Sequence, residues 1–171
     1  MRQQNSNSIK GNGRIELNLG WLHGKHSLEI VGGPYDRFEP APHRFGVCVR
    51  AENAARKVKD VWLPIADFSV PSDHAYPDVL KAVTETFAAA IGGKVVYVGC
   101  MGGWGRTGLF LCLLAKAAGI KDPIAFIRAN YTQHAVETLS QETYVNGFDV
   151  RPIRLSLMAL GWKARLKNLR S

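Results

Sequence analysis

The sequence is poor in cysteine, in long apolar runs and, toward its C-terminus, in acidic residues. Its three cysteines, Cys48, Cys100 and Cys112, are too few for a disulfide framework, and no cysteine and histidine residues cluster at zinc-binding spacing. The longest apolar run, residues 108–115, is too short to cross a bilayer, and the polar N-terminus lacks the apolar core of a signal peptide. We therefore expect an intracellular, cytoplasmic protein from a reducing compartment, with no bound metal.

The shortage of acidic residues is local. The chain has 22 Lys and Arg against 14 Asp and Glu, which gives a formal net charge of +8. Residues 151–171 contain no acid and carry +6 of formal charge. A basic segment of this kind is either a solvated helix face or a surface for an anionic partner such as RNA, phospholipid or an acidic protein. Charge alone does not choose between these, so both interpretations stay open.

The chain is long enough for one ordinary domain with a sizeable core. Its 171 residues are 46% hydrophobic and 21% charged, which excludes disordered and collagen-like classes. Residues 1–13 are rich in Asn, Ser, Gln and Gly and predict a mobile arm. Residues 14–171 are then the domain, with a basic C-terminal helix or tail over about 151–171.

Short β-branched segments alternate with helical patterns along the domain. Residues 27–31, 45–49 and 94–98 are predicted strands, and the last two are nearly all apolar, as strands covered on both faces are. Apolar periodicity, caps and terminators predict helices over about 77–91, 106–118, from 122 through 127, from 138, and over about 153–160. The alternation predicts a single α/β domain whose central, mostly parallel sheet of about four to five strands is flanked by helices.

The most informative stretch, residues 95–116, reads VVYVGCMGGWGRTGLFLCLLAK. It places Cys100 after a buried strand and Arg106 at the start of a buried helix, with a glycine-rich loop between them. Such a loop can turn successive N–H groups inward to make a nest for an anion, and the helix N-terminus adds its unpaired amides. Arg106 supplies a planar, permanently charged fork for phosphate oxygens, and the positive surroundings favour the thiolate form of Cys100. One loop would thus hold both a nucleophile and a phosphate.

The segment Cys100-Met-Gly-Gly-Trp-Gly-Arg106-Thr107-Gly108 resembles the phosphate-binding loop of the cysteine-dependent protein tyrosine and dual-specificity phosphatases. Residues 63–71, Leu-Pro-Ile-Ala-Asp-Phe-Ser-Val-Pro, look like the mobile loop that carries the family's general acid, most closely in the compact kinase-associated phosphatases. Residues 135–145 resemble the family's Gln-bearing segment. Together these matches cover roughly residues 27–150, in the family's order.

The resemblance implies a role for each matched residue. Cys100 would attack phosphorus and form a phosphocysteine, and Asp67 would protonate the leaving oxygen and later take a proton from water. Thr107 would donate to the departing sulfur, and Gln141 would orient the water. The phosphate oxygens would be bound by the loop, which consists of Met101, Gly102, Gly103, Trp104, Gly105 and Arg106. No metal or cofactor is required, because Arg106 and the amides supply the positive field.

Each of these residues also has an ordinary structural explanation. Asp67 could be a turn former in a proline-bounded loop, and Thr107 an ordinary first-turn helix residue. Gln141 has the spacing of a capping-box partner of Thr138. Trp104 is either a wall against the substrate or part of the core.

One position departs from the family. The family usually has a His directly before the nucleophile, where its hydrogen bonds hold the loop and favour the thiolate, and here that residue is Gly99. We therefore expect the thiolate of Cys100 to be favoured, but less strongly than in members that have the His.

The resemblance implies a phosphoric monoester hydrolase that acts on phosphoproteins as a protein tyrosine or dual-specificity phosphatase. The sequence has no counterpart of the recognition loop that deepens the pocket of strictly phosphotyrosine-selective members, which favours a compact dual-specificity type. Two alternatives stay open. The basic C-terminus suggests an RNA 5′-phosphatase or another polyanion phosphatase, and Gly99 suggests a weakly active, phosphate-binding pseudophosphatase.

Overall fold

The computed structural model describes residues 11–22, 26–52 and 58–168, the last eight of these by their backbone alone. In the described part, two single-turn 3₁₀ helices, Tyr35–Arg37 and Asp73–Ala75, accompany five strands and five longer helices. The strands are β1 (Gly13–Asn18), β2 (Ser27–Pro34), β3 (Arg44–Cys48), β4 (Val61–Trp62) and β5 (Val95–Cys100). The helices are α1 (Tyr76–Ile91), α2 (Gly105–Ala118), α3 (Pro123–Asn130), α4 (Leu139–Gly147) and α5 (Arg151–Asn168).

The five strands form one sheet in the order β1-β2-β5-β3-β4. Strands β2, β5, β3 and β4 are parallel, and β1 pairs antiparallel with β2 at the edge. Central strand β5 places Val96 between Ile30 of β2 and Phe45 of β3. This confirms the predicted single α/β domain with a mostly parallel sheet. Because ligands of such sheets bind beyond the carboxyl ends of the strands, the residue that ends β5, Cys100, lies where a site is expected.

Helix α2 is the buried helix of the domain. Every residue from Gly105 to Ala118 is buried except Lys116, so the helix is enclosed on all sides as its apolar sequence predicts. It ends at Gly119, whose φ of 107° is the left-handed conformation that helix-terminating glycines adopt. The glycine loop therefore joins two largely buried elements, β5 and α2.

The structure differs from the sequence predictions in several places, and strand β1 is among the elements that were not predicted. Residues 1–10 of the predicted arm lie outside the described residues, but residues 11–13 are ordered against the domain, since Gly11 is buried and Gly13 begins β1. Strand β4 has only two residues, too few for a periodic signal. Helix α5 spans Arg151–Asn168 instead of about 153–160. The side chains of residues 161–171 lie outside the described part, so a docking role for the basic C-terminus stays a prediction.

No helix in the described ranges is both long enough and apolar enough to span a membrane.

Candidate active site

Cys100 ends β5 with its side chain inside the glycine loop. Its sulfur accepts a hydrogen bond from the Gly103 amide at 3.2 Å, and only 3% of the residue is exposed. Its own amide donates to Thr107 Oγ1 at 2.9 Å, which links the start of the loop to the first turn of α2. The loop therefore curls around the sulfur with at least one N–H directed at it.

The curl depends on Gly103. This residue has a φ of 79°, which side chains rarely tolerate, and an added Cβ would lie 2.5 Å from the Gly11 carbonyl oxygen. A glycine is needed here both for the turn and for the close approach of the N-terminal segment.

Arg106 is buried beneath the loop with only 2% exposure. Its Nη1 donates to both carboxylate oxygens of Glu52, at 2.9 and 2.7 Å, and to the Ile65 carbonyl at 2.9 Å. Its Nη2 lies 2.9 Å from Oδ1 of Asp67, whose side chain is half exposed. The predicted acid and the predicted phosphate-binding cation are therefore in direct contact.

Glu52 is a site residue that the sequence analysis missed. Burial disfavours its charged form, but the Arg106 hydrogen bond, a backbone hydrogen bond and the positive charges of Arg106 and Arg50 together hold the pKa of the Glu52 carboxyl below its usual value. The carboxylate fixes one edge of the Arg106 guanidinium and leaves Nη2 directed toward Asp67. No motif signals this residue, because it lies in a loop after β3, far from Arg106 in the chain.

The Gln141 side chain lies against the loop, since a Cβ at Gly105 would be 3.2 Å from its Oε1, but its hydrogen bonds go elsewhere. Its Oε1 accepts from the Glu137 amide at 2.8 Å, and its Nε2 donates to the Ser69 carbonyl at 3.1 Å. The backbone amide of Gln141 donates to Thr138 Oγ1 at 3.2 Å, so Thr138 caps α4 as predicted. The Gln141 side chain is fully buried and ties the Asp67 loop to the segment before α4.

The side chain of this segment that forms a hydrogen bond with the glycine loop is that of Glu137. Its Oε2 accepts a hydrogen bond from the Gly105 amide at 2.8 Å. Val136, directly before it, has a φ of 63°, and Phe68, directly after Asp67, has a φ of 55°. Among the described residues these two are the non-glycine residues with positive φ, and strain of this kind concentrates at functional sites. The sequence predicted a role for Gln141 in this segment and none for Glu137.

Trp104 forms a wall beside the loop. Its half-buried ring lies 5.1 Å from the ring of His134, and with Phe68 and Glu137 it lines a cavity of about 380 Å³. Trp104 therefore faces an open cavity and is not part of the core.

The other two cysteines have different surroundings. Burial raises the pKa of Cys112, inside α2, to about 12, and it also raises the pKa of Cys48. Cys100 is the cysteine that lies in the glycine loop with an amide donating to its sulfur. No group of His, Cys, Asp and Glu in the described parts of the chain is arranged to hold a metal ion.

Gly99 has a packing reason to be glycine. A Cβ at this position would lie 2.7 Å from the Gly33 carbonyl oxygen and 2.8 Å from the Tyr35 amide nitrogen. Both neighbours are backbone atoms, which cannot move aside as a flexible side chain could. The family's His therefore has no room here, and other groups must hold the loop.

We expect the substitution Gly99→Ala to lower the free energy of unfolding by about 1–3 kcal/mol, the usual cost of overpacking a core. Chemical denaturation measures this. Gly147→Ala is the matched control, because nothing lies within 4 Å of a Cβ at Gly147 and this substitution should be neutral or slightly stabilising. Equal stabilities of the two variants would contradict the steric explanation for Gly99.

Comparison with curated proteins finds two relatives, both from Methanocaldococcus jannaschii. The uncharacterized protein MJECL20 is 33% identical over 89 residues, which cover 52% of this chain and 58% of the relative. The uncharacterized protein MJ0215 is 34% identical over 89 residues, which cover 52% of this chain and 54% of the relative. The matched segment thus spans little more than half of each relative, and no family model matches the chain.

Solved structures define the class of fold. Tk-PTP in its active form covers 71% of this chain and 92% of its own, with a TM-score of 0.53 and 22% identity. The match with kinase associated phosphatase, whose catalytic-site cysteine is changed to serine, covers 81% of this chain and 93% of that chain, with a TM-score of 0.55 and 16% identity. The match with PTPMT1 in complex with PI(5)P covers 76% of this chain and 92% of that chain, with a TM-score of 0.50 and 13% identity. The chain has the fold of the cysteine-dependent protein tyrosine and dual-specificity phosphatases.

Proposed function

We propose that this protein is a phosphomonoester hydrolase that works through a phosphocysteine on Cys100, as a protein tyrosine or dual-specificity phosphatase. One observation carries the proposal. The Cys100 sulfur lies in a loop that directs the Gly103 N–H at it, and Arg106, at the end of that loop, contacts Asp67 at 2.9 Å. A nucleophile and a cation thus lie at the two ends of one loop, and the candidate acid contacts that cation. The fold of the solved phosphatases supports the same conclusion.

In the first step the Cys100 thiolate attacks phosphorus, so that an S–P bond forms and the P–O ester bond breaks. Arg106 and the loop amides bind the other phosphate oxygens as charge spreads over them. Phosphate binding to Arg106 releases Asp67 from its ion pair, and Asp67 in its protonated form gives its proton to the leaving oxygen.

In the second step water attacks phosphorus, the S–P bond breaks and Asp67 takes the proton of the water. Thr107 Oγ1 accepts a hydrogen bond from the Cys100 amide. The hydroxyl proton of Thr107 therefore stays available for donation to the departing thiolate. We assign the orientation of the water to Glu137, because its carboxylate reaches the loop. The side-chain amide of Gln141 is hydrogen-bonded to backbone groups, so Gln141 then acts by holding Glu137 and the Asp67 loop in position.

The cavity beside the loop favours an aromatic or peptide phosphomonoester as substrate. Phe68 and Trp104 provide aromatic walls, and Glu137 adds a carboxylate. Among the described residues that line this cavity there is no Lys or Arg, so a second phosphate group would find no permanent positive charge in it. This favours a phosphotyrosine-like monophosphate over a polyanion.

The decisive experiment for function is a substrate panel of phosphotyrosine and phosphoserine peptides, 5′-phosphorylated RNA and inositol phosphates. Inositol phosphates belong in the panel because the PTPMT1 structure holds PI(5)P. Turnover of phosphopeptides with the best kcat/KM supports the proposal. Preferred turnover of RNA or inositol phosphates would instead identify a polyanion phosphatase. Tight binding of phosphopeptides with no turnover would identify a pseudophosphatase.

Asp67→Asn should lower kcat for phosphotyrosine peptides by about 10²–10³-fold, because asparagine cannot donate a proton to the leaving phenol. The loss should be much smaller for p-nitrophenyl phosphate, whose leaving group needs no protonation. Steady-state rates on both substrates measure the difference. Equal losses of kcat on the two substrates would mean that Asp67 is not the acid. Asp78→Asn, a change in the first turn of α1, serves as the control.

A further inference from the structure

Two carbonyl groups of the phosphate loop are held from outside the loop. The Gly102 carbonyl accepts from the Gly11 amide at 2.9 Å. The Gly103 carbonyl accepts from the Tyr131 hydroxyl at 2.5 Å. The donors come from segments that are far apart in the chain, one directly before β1 and the other directly after α3.

These contacts determine where the loop amides point. A peptide group is planar and trans, so an outward carbonyl directs the N–H of the next residue inward. The outward Gly102 carbonyl therefore accompanies the inward Gly103 N–H, which donates to the Cys100 sulfur at 3.2 Å. In the same way the Tyr131 contact at the Gly103 carbonyl orients the N–H of Trp104 toward the nest.

Tyr131 is held firmly enough to do this. Only 9% of the residue is exposed, and its ring fills space that glycines of the sheet leave open. A Cβ at Gly32 would lie 2.7 Å from the ring, and a Cβ at Gly13 would lie 2.9 Å from it. Burial also raises the pKa of Tyr131 above its ordinary value, so the hydroxyl keeps the proton that it donates.

We propose that Tyr131 is a positioning residue for the phosphate loop, which keeps the Trp104 N–H directed into the nest that holds the Cys100 sulfur and the substrate phosphate. It supports the loop in a chain whose Gly99 leaves no room for a side chain before the nucleophile. Tyr131 touches neither the sulfur nor the substrate, and acts through the peptide group that it orients. The inference rests on the proposed function, in which Cys100 is the nucleophile.

Tyr131→Phe tests this, because it keeps the ring and removes only the donor. The control is Tyr35→Phe, which removes a comparable hydroxyl-to-carbonyl bond, from the buried Tyr35 to Val58 at 3.0 Å. For each variant we would measure the pH midpoint of iodoacetamide alkylation at Cys100 by peptide mapping, the kcat and KM for an aryl phosphate, and Tm. Alkylation reports on the thiolate without any need for turnover.

We expect Tyr131→Phe to move the alkylation midpoint upward by about one pH unit and to lower kcat by about tenfold, the effect of losing one hydrogen bond that supports the loop. Tyr35→Phe should change neither the alkylation midpoint nor kcat, although both variants should lose similar amounts of Tm. Equal alkylation profiles and rates for the two variants would overturn the inference and make Tyr131 a structural residue.

A second variant covers the case in which Tyr131→Phe does not fold. Gly11→Ala would place a methyl group 2.2 Å from the Gly103 carbonyl oxygen, and so disturb the same peptide group from the other side. It should raise the alkylation midpoint as well, and an unchanged midpoint would overturn the inference. Failure of the proposed function looks different: the unmodified protein would then show no turnover and alkylate only at the pH of an ordinary thiol.

Discussion

Replacing Cys100 with serine should reduce the kcat for an aryl phosphate by at least about 10⁴-fold, since loss of a covalent nucleophile removes the reaction path. The serine hydroxyl stays protonated at neutral pH in a loop that can stabilise a thiolate. Binding should survive, because the loop amides and Arg106 remain. We therefore expect the variant to bind a phosphotyrosine peptide with a Kd similar to the KM of the unmodified protein.

Single-turnover assays and calorimetry with the same peptide measure the two effects. Cys112→Ser is the matched control, because this thiol is buried within α2, away from the loop, with its pKa raised to about 12. That variant should lose stability and keep its kcat. Undiminished turnover by Cys100→Ser would rule out the phosphocysteine mechanism and with it the assignment of the loop.

The local parts of the site could be predicted from the sequence. Cys100, the glycine loop and Arg106 are consecutive, and their chemistry follows from spacing between a strand and a helix. The burial of α2 also follows from its sequence, because its apolar residues extend around the whole helix. Such features are readable because neighbours in the chain are neighbours in the structure.

The parts that sequence reasoning missed are brought in from distant segments. Glu52 and Tyr131 reach the loop only through the fold, and neither lies in a recognisable pattern. Glu137 was missed for a different reason. The segment was recognised, but only the structure shows that the Gln141 amide is occupied by backbone groups while the Glu137 carboxylate contacts Gly105. Strand β1 was missed because the polar residues before it resemble a free arm.

Arg106→Lys should lower kcat/KM by about 10³-fold or more, in the range found when a transition-state arginine is lost. Lysine carries the same charge, but it offers a point charge where the guanidinium offers several donors in a fixed plane. Arg106 uses Nη1 for Glu52 and Ile65 and still has Nη2, now paired with Asp67, for a phosphate oxygen. A single ammonium group cannot do both.

The measurements are kcat/KM for an aryl phosphate and the inhibition constant of inorganic phosphate, which should rise together because both report on the same anion site. Arg14→Lys is the control, since the Arg14 side chain is 65% exposed and pairs with Glu29 at the surface. It should leave both values unchanged. A loss of kcat/KM with an unchanged phosphate inhibition constant would place Arg106 outside the phosphate site.

A double variant separates catalysis from stability. Arg106→Lys leaves the half-buried Glu52 carboxylate with a poorer partner, and this alone should destabilise the fold. Adding Glu52→Gln removes that unpaired charge, so Tm should recover at least in part. Activity should not recover, because the planar donor for phosphate is still missing. Recovery of both together would mean that Arg106 acts on the reaction only by holding the structure, and that the cation at the phosphate must be sought elsewhere in the chain.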